Sequence, residues 1–387
     1  MDAFFVEVER LRDATLRGRP VAVGGAGGRG VIASASYEAR AAGVRSAQPT
    51  AVARRLCLDL VVVTPRHGDY AEVSGRVFDI FRGFTPLVEG LSLDEAFLDV
   101  TGLRRHFPSP VDVGEEIRSR IRLEIGIPAS VGVASSKFLA KMASQVAKPD
   151  GLRHIAKETE TEFLHVLPVE ALWGVGPATL AGLQRLGVVT IGDLAEIPES
   201  TLKKSLGPTQ GAHLLELAKG IDPRPVESGS EAKSVSVEET YPEDLVGRTL
   251  VEAALMAHAQ RLAQRLRRAG LAGRTITLKV RFPDFTTITR SHTHDSGLSE
   301  PRELYRAGLI LLDQVDSSQP VRLLGLGSSS FDTELSPKQI SFESNDAWHR
   351  VARAVADVED KFGAGSVEPA RILDLKSGGD QGRSNGL

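Results

Sequence analysis

One ten-residue stretch constrains the fold and the chemistry of this chain more than any other. It reads Leu91-Ser92-Leu93-Asp94-Glu95-Ala96-Phe97-Leu98-Asp99-Val100, and its second half has the period-two pattern of a β-strand. Two adjacent carboxylates beside an apolar strand are costly unless a positive group neutralises them. A basic side chain can do this, and so can a divalent ion such as Mg²⁺ or Mn²⁺. Taken alone, the pair is better explained as two solvated acids at a hairpin tip, so the other motifs must decide.

Length, charge and cysteine content limit the number of domains, the kind of binding surface and the compartment that this chain can have. The chain has 387 residues, which predicts two to four domains at roughly 100–200 residues each. It carries 47 basic against 50 acidic residues, a net charge of −3, so any nucleic-acid-binding surface must be local. Cys57 is the single cysteine, and the sequence shows neither a signal peptide nor a membrane-length apolar run. We therefore expect a soluble, cytoplasmic, multidomain protein, and nothing in the sequence requires more than a monomer.

The first 150 residues mix strands and helices. A short apolar strand is predicted over residues 1–9 and another over residues 20–23. Gly25, Gly27 and Gly30 fit the G-x-G-x-x-G pattern, but a strand-like segment follows where a dinucleotide site needs a helix. This favours a glycine-rich hairpin. Because strands and helices do not alternate strictly, the sequence predicts an α+β domain.

A different composition begins at Leu172. Gly174-Val175-Gly176-Pro177 precedes a predicted helix over residues 178–186, and a second helix follows from residue 187. This pattern is typical of a helix-hairpin-helix, in which glycines let the backbone approach a phosphate. The alternative is a bare helical hairpin, but the paired signature favours DNA-backbone binding through Gly174 and Gly176.

Residues 221–233 lack apolar periodicity and are predicted to form a linker. Beyond them, the sequence predicts a helix over residues 249–270 and an alternating strand over residues 274–282. Between residues 261 and 290 a single acid, Asp284, accompanies eight basic residues, namely Arg261, Arg265, Arg267, Arg268, Arg274, Lys279, Arg281 and Arg290. A solvated face would explain such a run, but basic and hydroxyl side chains along strands also suit a phosphate backbone. We expect Lys279, Arg281 and Arg290 to contact DNA.

Five features, in this order and spacing, resemble the Y-family translesion DNA polymerases of the DinB or DNA polymerase IV group. They are Asp2-Ala3-Phe4-Phe5, Ser36-Tyr37-Glu38-Ala39-Arg40, the acidic stretch, Ala147-Lys148-Pro149-Asp150-Gly151 and the helix-hairpin-helix. The resemblance covers nearly the whole chain. It implies a right-hand α+β polymerase with a palm (residues 1–3 and 68–157), fingers (4–67), a helical thumb (158–220) and an α/β little finger (234–375). Residues 376–387 are predicted to be a disordered tail.

The resemblance also implies a function. It predicts a template-directed, error-prone DNA polymerase that extends primers past damaged bases with two Mg²⁺ ions, for which Mn²⁺ can substitute. Its partners are primer–template DNA and deoxynucleoside triphosphates. Asp94 and Glu95 are the implied metal ligands, with Glu95 as the catalytic carboxylate. Phe5 is the implied steric gate against a 2′-hydroxyl. The implied nucleotide-binding residues are Ser34, Tyr37, Arg40 and Lys148, among which Arg40 offers a planar fork and Lys148 a point charge to phosphate oxygens.

The chain departs from the family pattern at its first motif, Val-Asp-x-Asp-x-Phe-Phe, in which the leading aspartate binds metal. Met1 stands between the two aspartate positions, and Asp2 matches the second. Asp2 can point to the same face of a strand as the absent residue, so it is our third predicted metal ligand. We expect that the given sequence is shortened at its start. The alternative is a catalytically impaired DNA-binding remnant, whereas a small-molecule cyclase would have no use for a DNA grip.

Two weaker signals remain. Gln339-Ile340-Ser341-Phe342 loosely resembles the peptides that dock bacterial polymerases onto the sliding clamp, although an ordinary loop explains it slightly better. Cys57 and the nine histidines show no metal-ligand spacing, so zinc is not expected.

Overall fold

The computed structural model describes residues 1–229, 232–316 and 319–331, together with isolated positions between 351 and 370. The chain divides into two compact units, Met1–Ser230 and Glu231–Leu387. This division falls inside the segment predicted as a linker, while the limits of palm, fingers, thumb and little finger stay predictions. The possible clamp-binding peptide at residues 339–342 and the predicted tail at 376–387 lie outside the described residues.

The first unit is built from short strands and helices. Its strands are β1 (Val21–Gly24), β2 (Ile32–Ala35), β3 (Val61–Val63), β4 (Val88–Gly90), β5 (Ala96–Leu98), β6 (Val131–Val133) and β7 (Leu152–His154). Its helices are α1 (Phe4–Arg12), α2 (Tyr37–Ala41), α3 (Thr50–Leu56), α4 (His67–Phe84), α5 (Pro110–Arg120), α6 (Lys137–Val146), α7 (Glu160–His165), α8 (Pro177–Gln184), α9 (Ile191–Glu196), α10 (Glu199–Leu206) and α11 (Pro208–Ala218).

The predicted glycine-rich hairpin is confirmed. β1 and β2 pair antiparallel with Val23 opposite Ser34, and β3 adds to β1 in parallel. The hairpin loop needs glycine at residue 30, because a Cβ there would lie 1.8 Å from the carbonyl oxygen of Gly25. The helix that follows, α2, begins at a cap in which the Ala39 N–H donates to the Ser36 hydroxyl.

The strand predicted over residues 1–9 is wrong, because α1 is a helix over most of it. Phe4, Val6 and Val8 alternate with other residues, which imitates a strand. All three are nevertheless buried in one core, and Glu9 is buried beside them. A helix that is buried around most of its circumference shows no amphipathic period, so its sequence cannot reveal it. The same core holds residues of α4 and α5, so packing does not separate α1 from the predicted palm.

β6 lies against α6 at a close approach that only glycine permits. A Cβ on Gly132 would lie 1.9 Å from the carbonyl oxygen of Ala140 and 2.5 Å from the backbone nitrogen of Ser144, both in α6. β6 also pairs in parallel with β7, which follows Lys148 closely in the chain. The close approach at Gly132 therefore fixes α6 relative to the segment that carries Lys148.

We therefore expect Gly132→Ala to lower the free energy of unfolding of the first unit by about 3 kcal/mol, because backbone atoms must move apart to admit one methyl group. Urea unfolding followed by circular dichroism measures the change. Gly75→Ala is the matched control, since Gly75 lies in α4 with nothing within 4 Å of its added Cβ. That variant should gain roughly 0.5–1 kcal/mol from helix propensity. Equal stability of the two variants would contradict the close approach.

In the residues that the structure describes, the second unit is a four-stranded antiparallel sheet covered by two helices. Its elements are β8 (Ser234–Leu245), α12 (Arg248–Ala269), β9 (Gly273–Arg281), β10 (Thr287–Leu298), α13 (Pro301–Leu312) and β11 (Val321–Phe331), with the strand order β10-β9-β11-β8. The alternation predicted for β9 is confirmed, since Ile276, Leu278 and Val280 are buried in the core that includes α12 and α13. Among the described residues, no helix is long and apolar enough to cross a membrane.

Candidate active site

The acidic pair lies at the tip of a hairpin and opens the strand that follows it. β4 and β5 pair antiparallel, with Gly90 opposite Ala96, and the Leu91 N–H donates to the Glu95 carbonyl at 2.9 Å. The Ser74 hydroxyl of α4 donates to the Leu93 carbonyl at 2.6 Å, which ties the tip to the core. The acids therefore lie at a hairpin tip, as one of the two alternatives drawn from the sequence predicts, and this tip is held in place.

This tip borders a cleft of about 1070 Å³ in the first unit. Asp94 and Glu95 line it together with four lysines, namely Lys137, Lys141, Lys148 and Lys157. The structure thus brings the two predicted metal ligands and one predicted phosphate-binding residue into one space. Carboxylates and ammonium groups that share a cleft suit a ligand that carries both metal cations and phosphate anions.

Glu95 is kept ionised by a lysine that the sequence did not single out. The Lys141 ammonium lies 2.8 Å from Glu95 Oε2 and 5.6 Å from the centre of the Trp173 ring. Burial by itself would raise the pKa of Glu95, but the hydrogen bond and charge of Lys141, with the charge of Lys148, hold that pKa below its usual value. Glu95 is therefore a carboxylate at neutral pH.

We expect Lys141→Met to raise the pKa of Glu95, because the substitution removes the main group that lowers it. Activity that needs ionised Glu95 is lost as the pH falls through this pKa, so the acidic limb of the pH–rate profile should move to higher pH. Single-turnover rates across the acid range measure the limb. Lys137→Met is the control, since Lys137 lies one helical turn earlier and pairs with Glu89 at 2.7 Å instead. Limbs that coincide in the two variants would refute the role of Lys141.

The residues at the hairpin tip fit a hard divalent ion. The backbone carbonyl of Asp94 accepts a hydrogen bond from the Met1 nitrogen at 2.6 Å, and the Asp94 carboxylate lies 3.8 Å from that nitrogen. Oxygen donors of this kind suit Mg²⁺ or Mn²⁺. Among the described residues, no three His, Cys, Asp or Glu side chains come together as a complete metal site. Mg²⁺ commonly takes one or two carboxylates and completes its shell with water and substrate phosphates, which matches Asp94 and Glu95.

Asp2, the third predicted ligand, is placed differently. Its side chain is 1% exposed and is absent from the residues that line the cleft. Its carboxylate lies among hydrogen-bond donors from Tyr37, Ser130 and Asp150. The structure therefore does not bring Asp2 together with Asp94 and Glu95 in the cleft.

Tyr37 and Arg40 form one face of α2. The Arg40 guanidinium lies 4.9 Å from the centre of the Tyr37 ring, and its Nε donates to the Ala35 carbonyl at 2.9 Å. Arg40 is exposed, so its remaining donors can meet an anion. Ser34 lies on β2 and is nearly buried. These three residues do not line the cleft of Asp94 and Glu95.

Phe5 is held flat against a tyrosine. Its ring stacks on Tyr70 with centroids 4.4 Å apart and planes inclined by 15°. The Tyr70 hydroxyl donates to buried Glu9 at 2.6 Å, and Glu9 also pairs with Arg66. Phe5 is partly exposed, so one part of its ring is accessible while the stack on Tyr70 supports the rest.

The predicted DNA-binding glycines open α8. Gly174 has a positive φ of 100°, and Gly176 caps α8 without a side chain to cover the first N–H groups. This backbone can approach an anion closely. Trp173, next to Gly174, packs on Phe97 of β5 with ring centroids 6.2 Å apart. The helix-hairpin-helix is thus in contact with the strand that follows the acidic pair.

The three predicted DNA-binding residues of the sheet do not lie on one face. Lys279 and Arg281 lie on the face that α12 and α13 leave uncovered, where Lys279 pairs with Glu238 at 2.8 Å and Arg281 Nε donates to the Thr287 hydroxyl. Arg290 lies opposite Leu278, which points into the core. Because directly paired residues share a face, Arg290 belongs to the helix-covered side.

Sequence reasoning missed Lys137 and Lys141. Both lie on α6, four residues apart, so they occupy one face of that helix, and each pairs with a glutamate of the β4–β5 hairpin. The i, i+4 spacing in the sequence was a usable signal. No signal in the sequence identifies the partners of Asp2, since they lie more than 30 residues away along the chain.

Comparisons with known proteins agree along the chain. Residues 1–145 match the impB/mucB/samB family, residues 232–342 match the C-terminal domain of that family, and residues 170–222 match the thumb domain described for DNA polymerase iota. DNA polymerase IV of Desulfatibacillum aliphaticivorans is 41% identical over 96% of this chain and 95% of its own length. DNA polymerase IV of Alkalilimnicola ehrlichii is 44% identical over 86% and 94%.

Solved structures give the same result. A Y-family DNA polymerase chimera of Dbh and Dpo4 superposes with a TM-score of 0.78 at 26% identity, covering 85% of this chain and 97% of that one. A Dbh ternary complex superposes with a TM-score of 0.64 at 25% identity, covering 86% and 98%.

Proposed function

The chain belongs to the DNA polymerase IV group of the Y-family DNA polymerases, and we propose that it adds deoxynucleotides to a primer 3′ end, as the template directs, in the cleft beside Asp94 and Glu95. Relatives of this name and family support lesion bypass as its role. The observation that carries the proposal is the acidic hairpin tip and Lys148 in a single cleft. The same proposal includes low-fidelity copying, a cytoplasmic location, a monomeric state and the domain limits given above. It also includes contact of residues 339–342 with the sliding clamp.

Asp94 and Glu95 are the side chains that would hold Mg²⁺, or Mn²⁺ in its place. Two such ions, when bound, activate the primer 3′-oxygen and neutralise the leaving pyrophosphate. Lys141 lowers the pKa of Glu95 and so favours its carboxylate form. The Ser92 hydroxyl donates to Asp94 Oδ1 at 2.8 Å and orients that carboxylate.

The remaining residues hold and select the nucleotide. Lys148 and Arg40 bind triphosphate oxygens, the first as a point charge and the second as a planar donor. Ser34 supplies a hydroxyl donor to the same group, and Tyr37, whose hydroxyl donates to Asp2, supports the Arg40 guanidinium with its ring. Phe5 covers the sugar and leaves no room for a 2′-hydroxyl, because its stack on Tyr70 prevents it from yielding.

DNA is held through its backbone in both units. The glycine loop before α8 and the uncovered face of the β9 strand present N–H groups, hydroxyls and basic side chains. These contacts read phosphate rather than base sequence, which suits an enzyme that must copy any template. Binding that relies on phosphate contacts weakens as salt rises.

Primer extension with Mg²⁺ and one deoxynucleotide at a time tests this function. We expect the wild-type chain to add the nucleotide complementary to the template base, and we expect Asp94→Ala to add none while its DNA affinity, measured by fluorescence anisotropy, is unchanged. Wild-type protein that binds DNA but adds no nucleotide would instead indicate a non-catalytic DNA-binding protein.

A further inference from the structure

Asp2 connects parts of the first unit that are distant in sequence. Its carboxylate accepts hydrogen bonds from the Ser130 hydroxyl at 2.8 Å, from the Asp150 N–H at 2.7 Å and from the Tyr37 hydroxyl at 3.4 Å. The side chain is 1% exposed. A buried carboxylate is costly unless donors surround it, and here three donors from three segments do so.

The segment on one side of Asp2 is the turn that carries Lys148. Asp150, two residues after Lys148, has its own carboxylate paired with Arg118 at 3.3 Å and with Arg122. Arg118 also donates to the carbonyl oxygens of Asp150 and Ala129. Arg118 and Arg122 therefore hold this turn through the Asp150 carboxylate, and Asp2 holds it through the Asp150 N–H.

The segment on the other side of Asp2 is the start of α2. The Tyr37 hydroxyl donates to Asp2 at 3.4 Å, and burial and the charge of Asp2 raise the pKa of Tyr37 to about 12. The Arg40 guanidinium packs over the same ring. Fixing Tyr37 therefore also restricts Arg40.

We propose that Asp2 is a positioning residue that ties the Tyr37–Arg40 helix start to the Lys148 turn, and so sets the separation of the two groups that hold the triphosphate. This rests on the proposed function, in which both groups bind that triphosphate. Ser130 and Asp150 both donate to Asp2 Oδ2 and Tyr37 donates to Oδ1, so ligation of a metal through either oxygen would compete with at least one of these hydrogen bonds. Asp2 acts through its neighbours and does not itself touch the nucleotide.

The test combines hydrogen exchange in the free protein with nucleotide affinity. In Asp2→Asn the amide cannot accept from all three donors, so exchange in residues 36–41 and 148–152 should accelerate about tenfold. Affinity for a matched deoxynucleotide, measured on a dideoxy-terminated primer–template with Mg²⁺, should fall roughly tenfold. Ser130→Ala keeps the Asp2 carboxylate and removes one donor, so it should accelerate exchange and lower nucleotide affinity by about threefold each. This variant replaces Asp2→Asn in the test if Asp2→Asn does not fold.

Lys148→Ala is the comparison variant, because it should weaken nucleotide binding without changing exchange in residues 36–41. Exchange that is unchanged in both Asp2→Asn and Ser130→Ala would overturn the proposal. Nucleotide affinity that is retained, with a raised Mg²⁺ requirement alone, would overturn it in favour of metal ligation. Failure of the proposed function is distinct, since it appears as wild-type protein that binds no nucleotide, whereas exchange is measured without one.

Discussion

Replacement of Glu95 by glutamine should lower the single-turnover rate of nucleotide addition by about 1000-fold or more, with DNA affinity unchanged. Glutamine keeps the shape of the side chain and an oxygen that can accept from Lys141, but it loses the negative charge. A carboxylate that helps to hold a catalytic ion contributes several kcal/mol to the transition state, and each 1.4 kcal/mol is a tenfold change in rate. Rapid-quench primer extension with saturating deoxynucleotide measures the loss.

Glu89→Gln is the matched control for this experiment. Glu89 belongs to the same hairpin and also pairs with a lysine of α6, but it is not among the residues that line the cleft. We expect its rate to stay within about threefold of wild type, since Glu89 does not line the cleft and glutamine keeps an oxygen that can accept from Lys137. Equal losses in the two variants would mean that the hairpin, rather than the Glu95 charge, is what the reaction needs.

Replacement of Phe5 by valine should raise ribonucleotide use relative to deoxynucleotide use by about 100-fold. The Phe5 ring cannot move aside, because it stacks on Tyr70 and the Tyr70 hydroxyl is hydrogen-bonded to Glu9. Valine removes most of the surface that excludes a 2′-hydroxyl, and a steric contact of this kind changes discrimination by a few kcal/mol. The ratio of kcat/KM for dCTP and CTP opposite a template guanine measures it.

Phe4→Val distinguishes sugar selection from general damage. Phe4 is the neighbouring aromatic residue of α1 but is buried in the core at 3% exposure. Its replacement should destabilise the protein by ~2 kcal/mol or more and leave the ribonucleotide ratio unchanged. A ratio that rises equally in both variants would show that Phe5 is not the gate.

The sequence predicted those features whose signals are local. The alternation of β9 and the glycine hairpin of β1 and β2 each follow from a few adjacent residues, and the structure confirms them. The acidic pair was found because two charges beside an apolar strand are unusual in themselves.

Long-range packing explains the failures. α1 was predicted as a strand because its burial by α4 and α5 conceals the helical period. β8 was not predicted because acidic residues and Pro242 interrupt its alternation, although it pairs with β11 along most of its length. The strand geometry assumed around Asp2 is wrong, and its three hydrogen-bond partners are not adjacent in the sequence, whereas metal ligation by Asp2 stays a prediction. Arg290 was grouped with Lys279 by count, without the register that assigns it to the other face.

The most direct test of the central claim is a crystal structure of this chain with Mg²⁺, a dideoxy-terminated primer–template and the matched deoxynucleoside triphosphate. We expect the primer end and the α-phosphate to lie beside Asp94 and Glu95, with metal between them, the triphosphate on Lys148 and Arg40, and the sugar against Phe5. A nucleotide bound elsewhere, or a hairpin tip that binds neither metal nor phosphate, would contradict the account.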